Sequence, residues 1–390
     1  MMRKILTGGT VVTETGMIEN GYVLIEDGQI VDYGQKGNLQ KDEGEAIELD
    51  ETDIVMPGFI DIHIHGAAGH DTMDATEDAL RVMAETLPKE GTTSFLATTI
   101  TDTDEHITGA LRNAAKFSKT DYDGAEMLGV HLEGPFISLQ HAGAQPESCI
   151  IPSSIEIFEK WQKAAEGLIR VVTLAPEEEN GMALVRYLRD NGVIPSIGHS
   201  HATFDEVSEA VNHGLKHATH LFNAMRPMHH REPGVVGAVF LNPSLLAEII
   251  FDRVHVTDEM VRLAFRTLGS DRMMLITDSM RGKCLREGTY DLGGQEVTIN
   301  EGEARLANGT LAGSVLKMSD AVRHLSSFEE SSKLDVMKMA SWNAAKSLGV
   351  DDRKGSIEKG KDADLVVLDS ELSVKQTFCR GNKVNHDKMG

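Results

Sequence analysis

Eight short apolar or β-branched runs recur between residues 59 and 277, at 59–65, 92–100, 126–133, 169–174, 193–199, 217–220, 246–252 and 273–277. Helical patterns lie between most of them, at 77–87, 105–118, 155–165, 182–191, 204–213 and 258–268. The last carries Val261, Leu263, Ala264, Phe265 and Leu268 near a helical period, with Thr257 placed as its N-cap. Alternating strands and helices imply a parallel sheet. Eight such units predict an α/β fold with a closed (β/α)8 TIM-type barrel, and an open doubly wound sheet is the alternative.

The two ends read differently. Segments 10–13, 21–26 and 29–33 are β-rich, and Asp27-Gly28 is a hairpin turn signal. Segments 364–369 and 374–378 are β-rich too. The two ends are expected to meet in one small β-sandwich domain, residues 1–56 plus 352–390, with the barrel over 57–351.

Composition narrows the partners. With 38 Lys+Arg against 61 Asp+Glu the net charge is −23, which argues against nucleic acid and against an anionic membrane surface. A small anion would need a local nest of cations against that field. No apolar run reaches the length of a transmembrane helix, and Met1-Met2-Arg3-Lys4 does not open a signal peptide. Cys149, Cys284 and Cys379 are far apart and form no metal pair or disulfide framework, so a reducing cytoplasm is the expected compartment.

The first barrel run, Phe59-Ile60-Asp61-Ile62-His63-Ile64-His65, alternates. Ile60, Ile62 and Ile64 share the face that would pack under helices, and Asp61, His63 and His65 share the interior face. Two imidazoles at i and i+2 on a buried strand are placed to chelate a metal. Glu133, His199, His220 and Asp278 stand at the ends of the third, fifth, sixth and eighth runs. Catalytic groups gather at that end of such barrels. A nitrogen and oxygen set without thiolate suits a divalent ion, Zn2+ or Fe2+ ahead of Mn2+ or Co2+. Asp278 is the candidate general base and acid.

The motifs His63-x-His65, His131-Leu-Glu133-Gly-Pro135-Phe, Gly198-His199-Ser200, Thr219-His220-Leu-Phe-Asn223-Ala224-Met225, Arg231-Glu-Pro-Gly234 and Thr277-Asp278 resemble the N-acetylglucosamine-6-phosphate deacetylases of the amidohydrolase superfamily. The similarity runs from about Met56 through Ser314 and into segments 355–360 and 362–365, the outer parts being common across the superfamily.

The resemblance implies hydrolysis of the acetamide of N-acetylglucosamine 6-phosphate. By it, Glu133, His199 and His220 match the primary metal ligands, and His63 and His65 match a pair that supports a second ion in some members. One or two ions per subunit are expected, with Glu133 as the candidate bridge. Asp278 matches the catalytic carboxylate. Arg231 and His255 match the groups that hold the sugar phosphate, with backbone donors near Asn223 and Ala224. One of these basic groups is expected from a neighbouring subunit, since members are commonly homodimers. Taken without the motif, Arg231 reads as a surface arginine beside His229 and His230.

Two departures stand out. Gln145 occupies a position where many members carry a His that polarises the acetyl carbonyl; Gln145 could donate a neutral hydrogen bond there, with His141 in reserve. Asp252-Arg253 stands where the family usually shows Asp-Gly. Three rival readings stay open: N-acetylgalactosamine 6-phosphate as substrate, a cyclic amide or nucleobase as substrate, and a non-enzymatic barrel.

Overall fold

The computed structural model describes residues 3–39 and 44–384; Met1 and Met2 of the leading segment, and the last six residues of the C-terminal β unit, lie outside the described residues. The eight runs form one parallel sheet in sequential order: β1 (Phe59–Ile64), β2 (Thr92–Thr99), β3 (Glu126–Glu133), β4 (Ile169–Leu174), β5 (Ile194–Ile197), β6 (His217–Ala218), β7 (Leu246–Ile250) and β8 (Met273–Ile276). The seam between β8 and β1 closes where Asp278 N–H donates to the His63 carbonyl at 2.8 Å and His65 N–H to the Ser279 carbonyl at 2.9 Å. The sheet is thus the closed barrel, and the doubly wound alternative is excluded.

Several strands end earlier than their patterns imply. His199, His220 and Asp278 have φ of 48°, 33° and 47°, so the chain turns out of the ladder at or just before each of them. This left-handed backbone is costly for residues with a Cβ, on the order of 1–3 kcal/mol each, and clusters at functional sites.

Helices α1 (Glu77–Thr86), α2 (Asp104–Phe117), α3 (Ile155–Ala164), α4 (Gly181–Asp190), α5 (Phe204–His213), α6 (Gly234–Leu241), α7 (Asp258–Leu268) and α8 (Met318–Ser326) surround the barrel. Six match their periodicity. α6, Gly-Val-Val-Gly-Ala-Val-Phe-Leu, is apolar all round and mostly buried, so it presents no amphipathic stripe to read. Thr257 sits at the N-cap of α7, although its side chain does not accept a first-turn N–H. Ile60, Ile62 and Ile64 are fully buried with the helix-facing core.

Strands from both chain ends pair, Ile54–Pro57 running antiparallel to Leu365–Leu368. Their six-stranded sheet and a four-stranded N-terminal sheet share a core of Leu6, Val11, Val23, Val55, Leu365, Val367 and Phe378. Asp27 and Gly28 have φ of 49° and 86°, the double left-handed turn that a two-residue hairpin requires. After β8 the chain makes a three-stranded antiparallel sheet, Gly288–Leu292, Gln295–Asn300 and Glu303–Leu306. Met280, Leu292, Val297 and Ile299 pack with Ile100 and anchor this sheet at the rim of the barrel.

Candidate active site

The carboxyl ends of the strands bring five ligand candidates to one point. Glu133 Oε1 lies 3.3 Å from His63 Nε2, 3.3 Å from His199 Nε2 and 3.2 Å from His220 Nε2. His65 Nε2 lies 3.4 Å from Glu133 Oε2. Asp278 Oδ1 stands 3.2 Å from His65 Nε2 and 3.5 Å from His63 Nε2. All six residues are buried. Gly198 makes room for the strand carrying His199, because a Cβ there would meet Thr173 Cγ2 and Thr219 Cβ, each at 2.8 Å.

The rings are oriented from behind. His199 Nδ1 donates to the His141 carbonyl at 2.8 Å, and His220 Nδ1 to the Asn223 carbonyl at 3.2 Å. A carbonyl only accepts, so each ring carries its proton on Nδ1 and each neutral ring presents a lone pair at Nε2. Those two Nε2 atoms face each other at 3.1 Å beside a carboxylate oxygen. His63 Nδ1 meets Glu248 Oε2 at 3.0 Å, leaving its Nε2 without a hydrogen bond, as is His65 Nδ1. Converging lone pairs and orphaned ring nitrogens in a buried site fit a divalent cation. Two groups of three potential ligands share Glu133: one with His199 and His220, one with His63 and His65.

Charge is redistributed accordingly. Burial alone would push the His65 imidazole down, but its hydrogen bonds to Asp278 and Glu133 raise it to about 10. Burial likewise opposes the charged form of His63, and Asp278 and Glu133 hold it well above its ordinary value. Burial would raise Asp278, but the charge of His63 and the hydrogen bond from His65 hold it at about 2, so it is a carboxylate at neutral pH.

The centre opens into a cavity of about 350 Å³ lined by Gln145, Asn223, Ala224 and His255 as well as by His65, Glu133, His199, His220 and Asp278. His255 Nδ1 pairs with Asp252 Oδ2 at 2.6 Å, and Asp252 also accepts the backbone N–H of Val254 and His255. Asp61, expected on the interior face, accepts from Thr277 Oγ1 at 2.5 Å and braces β1 against β8.

Two expectations change, those for Gln145 and His141, and Arg231 stands outside the cavity of its own chain. Gln145 is not free to aim at a substrate carbonyl: its Nε2 donates to Glu133 Oε2 at 2.6 Å and its Oε1 accepts from Thr101 N–H at 2.8 Å. His141 does not line the cavity; its ring meets His201 at 2.9 Å while its carbonyl orients His199. Arg231 is exposed, its guanidinium 2.8 Å from His230 Nε2, and it does not line the cavity of its own chain. Arg253 has φ of 68° and bonds Asp258 and Ser327, which accounts for a glycine being usual there in the resembling family and turns its charge away from the cavity.

Glu248 escaped the sequence reading, although a lone carboxylate in the apolar run Leu246-Ala-Glu248-Ile-Ile is the same signal that singled out His63. Arg305, Thr310 and Leu311 also line the cavity. They arrive through the three-stranded sheet and the turn after it, which the strand–helix count does not include.

The amidohydrolase family profile matches residues 54–384. An N-acetylglucosamine-6-phosphate deacetylase of Bacillus subtilis (strain 168) is 48% identical over 375 residues, 95% of this chain and 94% of that protein. An N-acetylgalactosamine-6-phosphate deacetylase of Escherichia coli O157:H7 is 34% identical, over 97% of this chain and 99% of that one. Among solved structures, a mutant Mycobacterium smegmatis N-acetyl-D-glucosamine-6-phosphate deacetylase in complex with N-acetyl-D-glucosamine-6-phosphate superimposes with a TM-score of 0.92 at 30% identity, covering 98% of this chain and all of that one. On the fold, the convergent histidines and this chain-long similarity, the protein belongs to the amidohydrolase family, among its N-acetylglucosamine-6-phosphate deacetylases.

Proposed function

We propose that this chain hydrolyses N-acetyl-D-glucosamine 6-phosphate to D-glucosamine 6-phosphate and acetate, in amino-sugar catabolism. The observation that carries the reading is the convergence of three Nε2 atoms on one oxygen of Glu133 with an ionised Asp278 alongside. Glu133, His199 and His220 would hold one divalent ion, Zn2+ or Fe2+ first, and Glu133, His63 and His65 would hold a second. Such an ion supplies Lewis-acid polarisation of the acetyl carbonyl and a more acidic water.

The chain's own groups do the rest. Asp278 Oδ1 accepts the proton of the attacking water and returns it to the amine nitrogen as the carbon–nitrogen bond breaks. The His255–Asp252 pair presents a ring edge to the cavity for the sugar phosphate, with Asn223 and Ala224 beside it. Arg231, exposed beyond its own cavity, completes the phosphate site of a second copy in a homodimer. We take residues 57–351 as the catalytic unit and 1–56 with 352–390 as the β unit. Among the described residues no helix is long and apolar enough to cross a membrane, and a cytoplasmic site of action suits a phosphorylated sugar.

Acetate release from N-acetylglucosamine 6-phosphate, N-acetylgalactosamine 6-phosphate and unphosphorylated N-acetylglucosamine tests this, with metal content measured on the same sample. N-acetylglucosamine 6-phosphate should be the best substrate. Faster release from N-acetylgalactosamine 6-phosphate would change the sugar, and indifference to the phosphate would point to a different amidohydrolase substrate.

A further inference from the structure

A second cavity, of about 490 Å³, opens at the opposite end of the barrel, where β5, β6 and β7 begin. Its wall includes Arg189 from α4, Lys216 and His217 at the start of β6, and Lys346 and Ser347 from the helix Asn343–Leu348. Lys216 and Lys346 are exposed, and neither makes an ion pair or a side-chain hydrogen bond among the described residues. The lining acid Asp271 is already matched, by Lys338 at 2.7 Å. Arg189 lies across Gly214, where a Cβ would meet its Cδ at 2.4 Å; the glycine leaves space for that stem. Arg189 is itself matched, by Asp190 at 2.7 Å, so in a chain of net charge −23 the unmatched cations of this wall are Lys216 and Lys346.

His217 adds an independent observation. It is 1% exposed, its Nε2 meets Ser347 Oγ at 2.5 Å, and its Nδ1 has no partner. Burial and the neighbouring Lys216 charge push its pKa down to about 3, so the ring is neutral at physiological pH. The neutral ring carries one proton, on Nε2 or on Nδ1; a ligand oxygen at the unpartnered Nδ1 selects the tautomer in which Ser347 donates to Nε2 and Nδ1–H is the donor. A buried polar group left unpaired is uncommon and calls for a missing partner.

We infer that this cavity is a second anion site, which takes the phosphate group of a small phosphate monoester between Lys216, Lys346 and the Nδ1–H of His217. A phosphate offers several acceptor oxygens and a charge near −2, which suits two ammonium groups and a neutral donor better than a single carboxylate does. The volume exceeds what inorganic phosphate alone would fill. The site is separate from the catalytic cavity and does not depend on which sugar phosphate is hydrolysed there.

The test is calorimetric titration of the metal-loaded enzyme with glucose 6-phosphate, which lacks an acetamide, and in separate arms with inorganic phosphate and with citrate. The comparison protein is the double variant Lys216→Gln/Lys346→Gln, whose changes are exposed. The wild type should bind one more equivalent of glucose 6-phosphate than the variant, and each lysine lost should weaken that extra site about tenfold. Phosphate binding at the same extra site but more weakly also supports the assignment and identifies the phosphate group as the recognised part. Equal stoichiometry and affinity in both proteins would overturn it. So would an extra equivalent taken up from citrate alone. Thermal unfolding of both proteins without ligand checks that the variant is folded, and deacetylation kinetics at low phosphate should be the same in both.

Discussion

Gln145 Nε2 donates to Glu133 Oε2 across 2.6 Å while Gln145 Oε1 accepts the Thr101 N–H at 2.8 Å. Both ends of the amide are therefore committed, and its place is behind the carboxylate that gathers the histidines. Such supporting hydrogen bonds typically govern metal affinity by 10–100-fold. Gln145→Ala should weaken metal binding by about that factor, read by competition with a chelator. If the amide instead served the acetyl carbonyl, turnover would fall with metal affinity unchanged.

Asp278 is the one carboxylate at the centre that faces the substrate cavity, contacts the His63–His65 pair and is not fixed by a hydrogen bond to an amide. Proton transfer by a placed group contributes roughly 10²–10⁴-fold. Asp278→Asn should lower kcat by about that range while isothermal titration still detects substrate binding. Near-normal turnover would remove the general-base role.

The barrel was legible because its strands and most of its helices carry clean periodicities that do not depend on distant residues. The ligand set was legible for a related reason: polar groups on buried strands, such as His63 and Glu133, contradict their surroundings. What was not legible came from contacts far apart in sequence and from the conformation of a loop. The aim of Gln145 depends on Thr101, and the occupation of the Arg231 guanidinium by His230 depends on a loop conformation. The rim sheet at 288–306 has short hairpin strands outside the repeating unit, so counting strands and helices passes over it.

Protons and metal compete for the same nitrogens. In metal-free protein His65 keeps its proton to about pH 10, against 6.5 for an ordinary imidazole. Its stabilising contribution is therefore full below pH 6.5 and lost as the pH rises through 10. Asp278, at about 2 against 3.8, contributes above pH 3.8 and loses that contribution as the pH falls through 2. Chelator-treated protein should lose Tm between pH 6.5 and 10, and saturating Zn2+ should reduce the loss because the cation replaces those protons. Metal affinity should rise with pH over the same interval. A chelated protein whose Tm is flat there would show that the two histidines are not protonated at neutral pH.

His255 and Arg231 separate the two halves of the phosphate site. His255 lines its own chain's cavity and is held by Asp252 at 2.6 Å, whereas Arg231 is exposed outside it. Each charge-assisted contact is worth roughly 1.5–3 kcal/mol, so His255→Ala or Arg231→Ala should raise KM for the phosphorylated sugar by on the order of 10–100-fold. KM for unphosphorylated N-acetylglucosamine should change little. If Arg231 reaches across a dimer, each single variant has two damaged sites. A heterodimer of the two variants then has one site lacking both groups and one lacking neither. Dissociating and reassociating an equal mixture should therefore recover activity at low substrate that neither variant shows alone. No recovery, in a mixture shown to have exchanged subunits, would place Arg231 outside the partner's phosphate site.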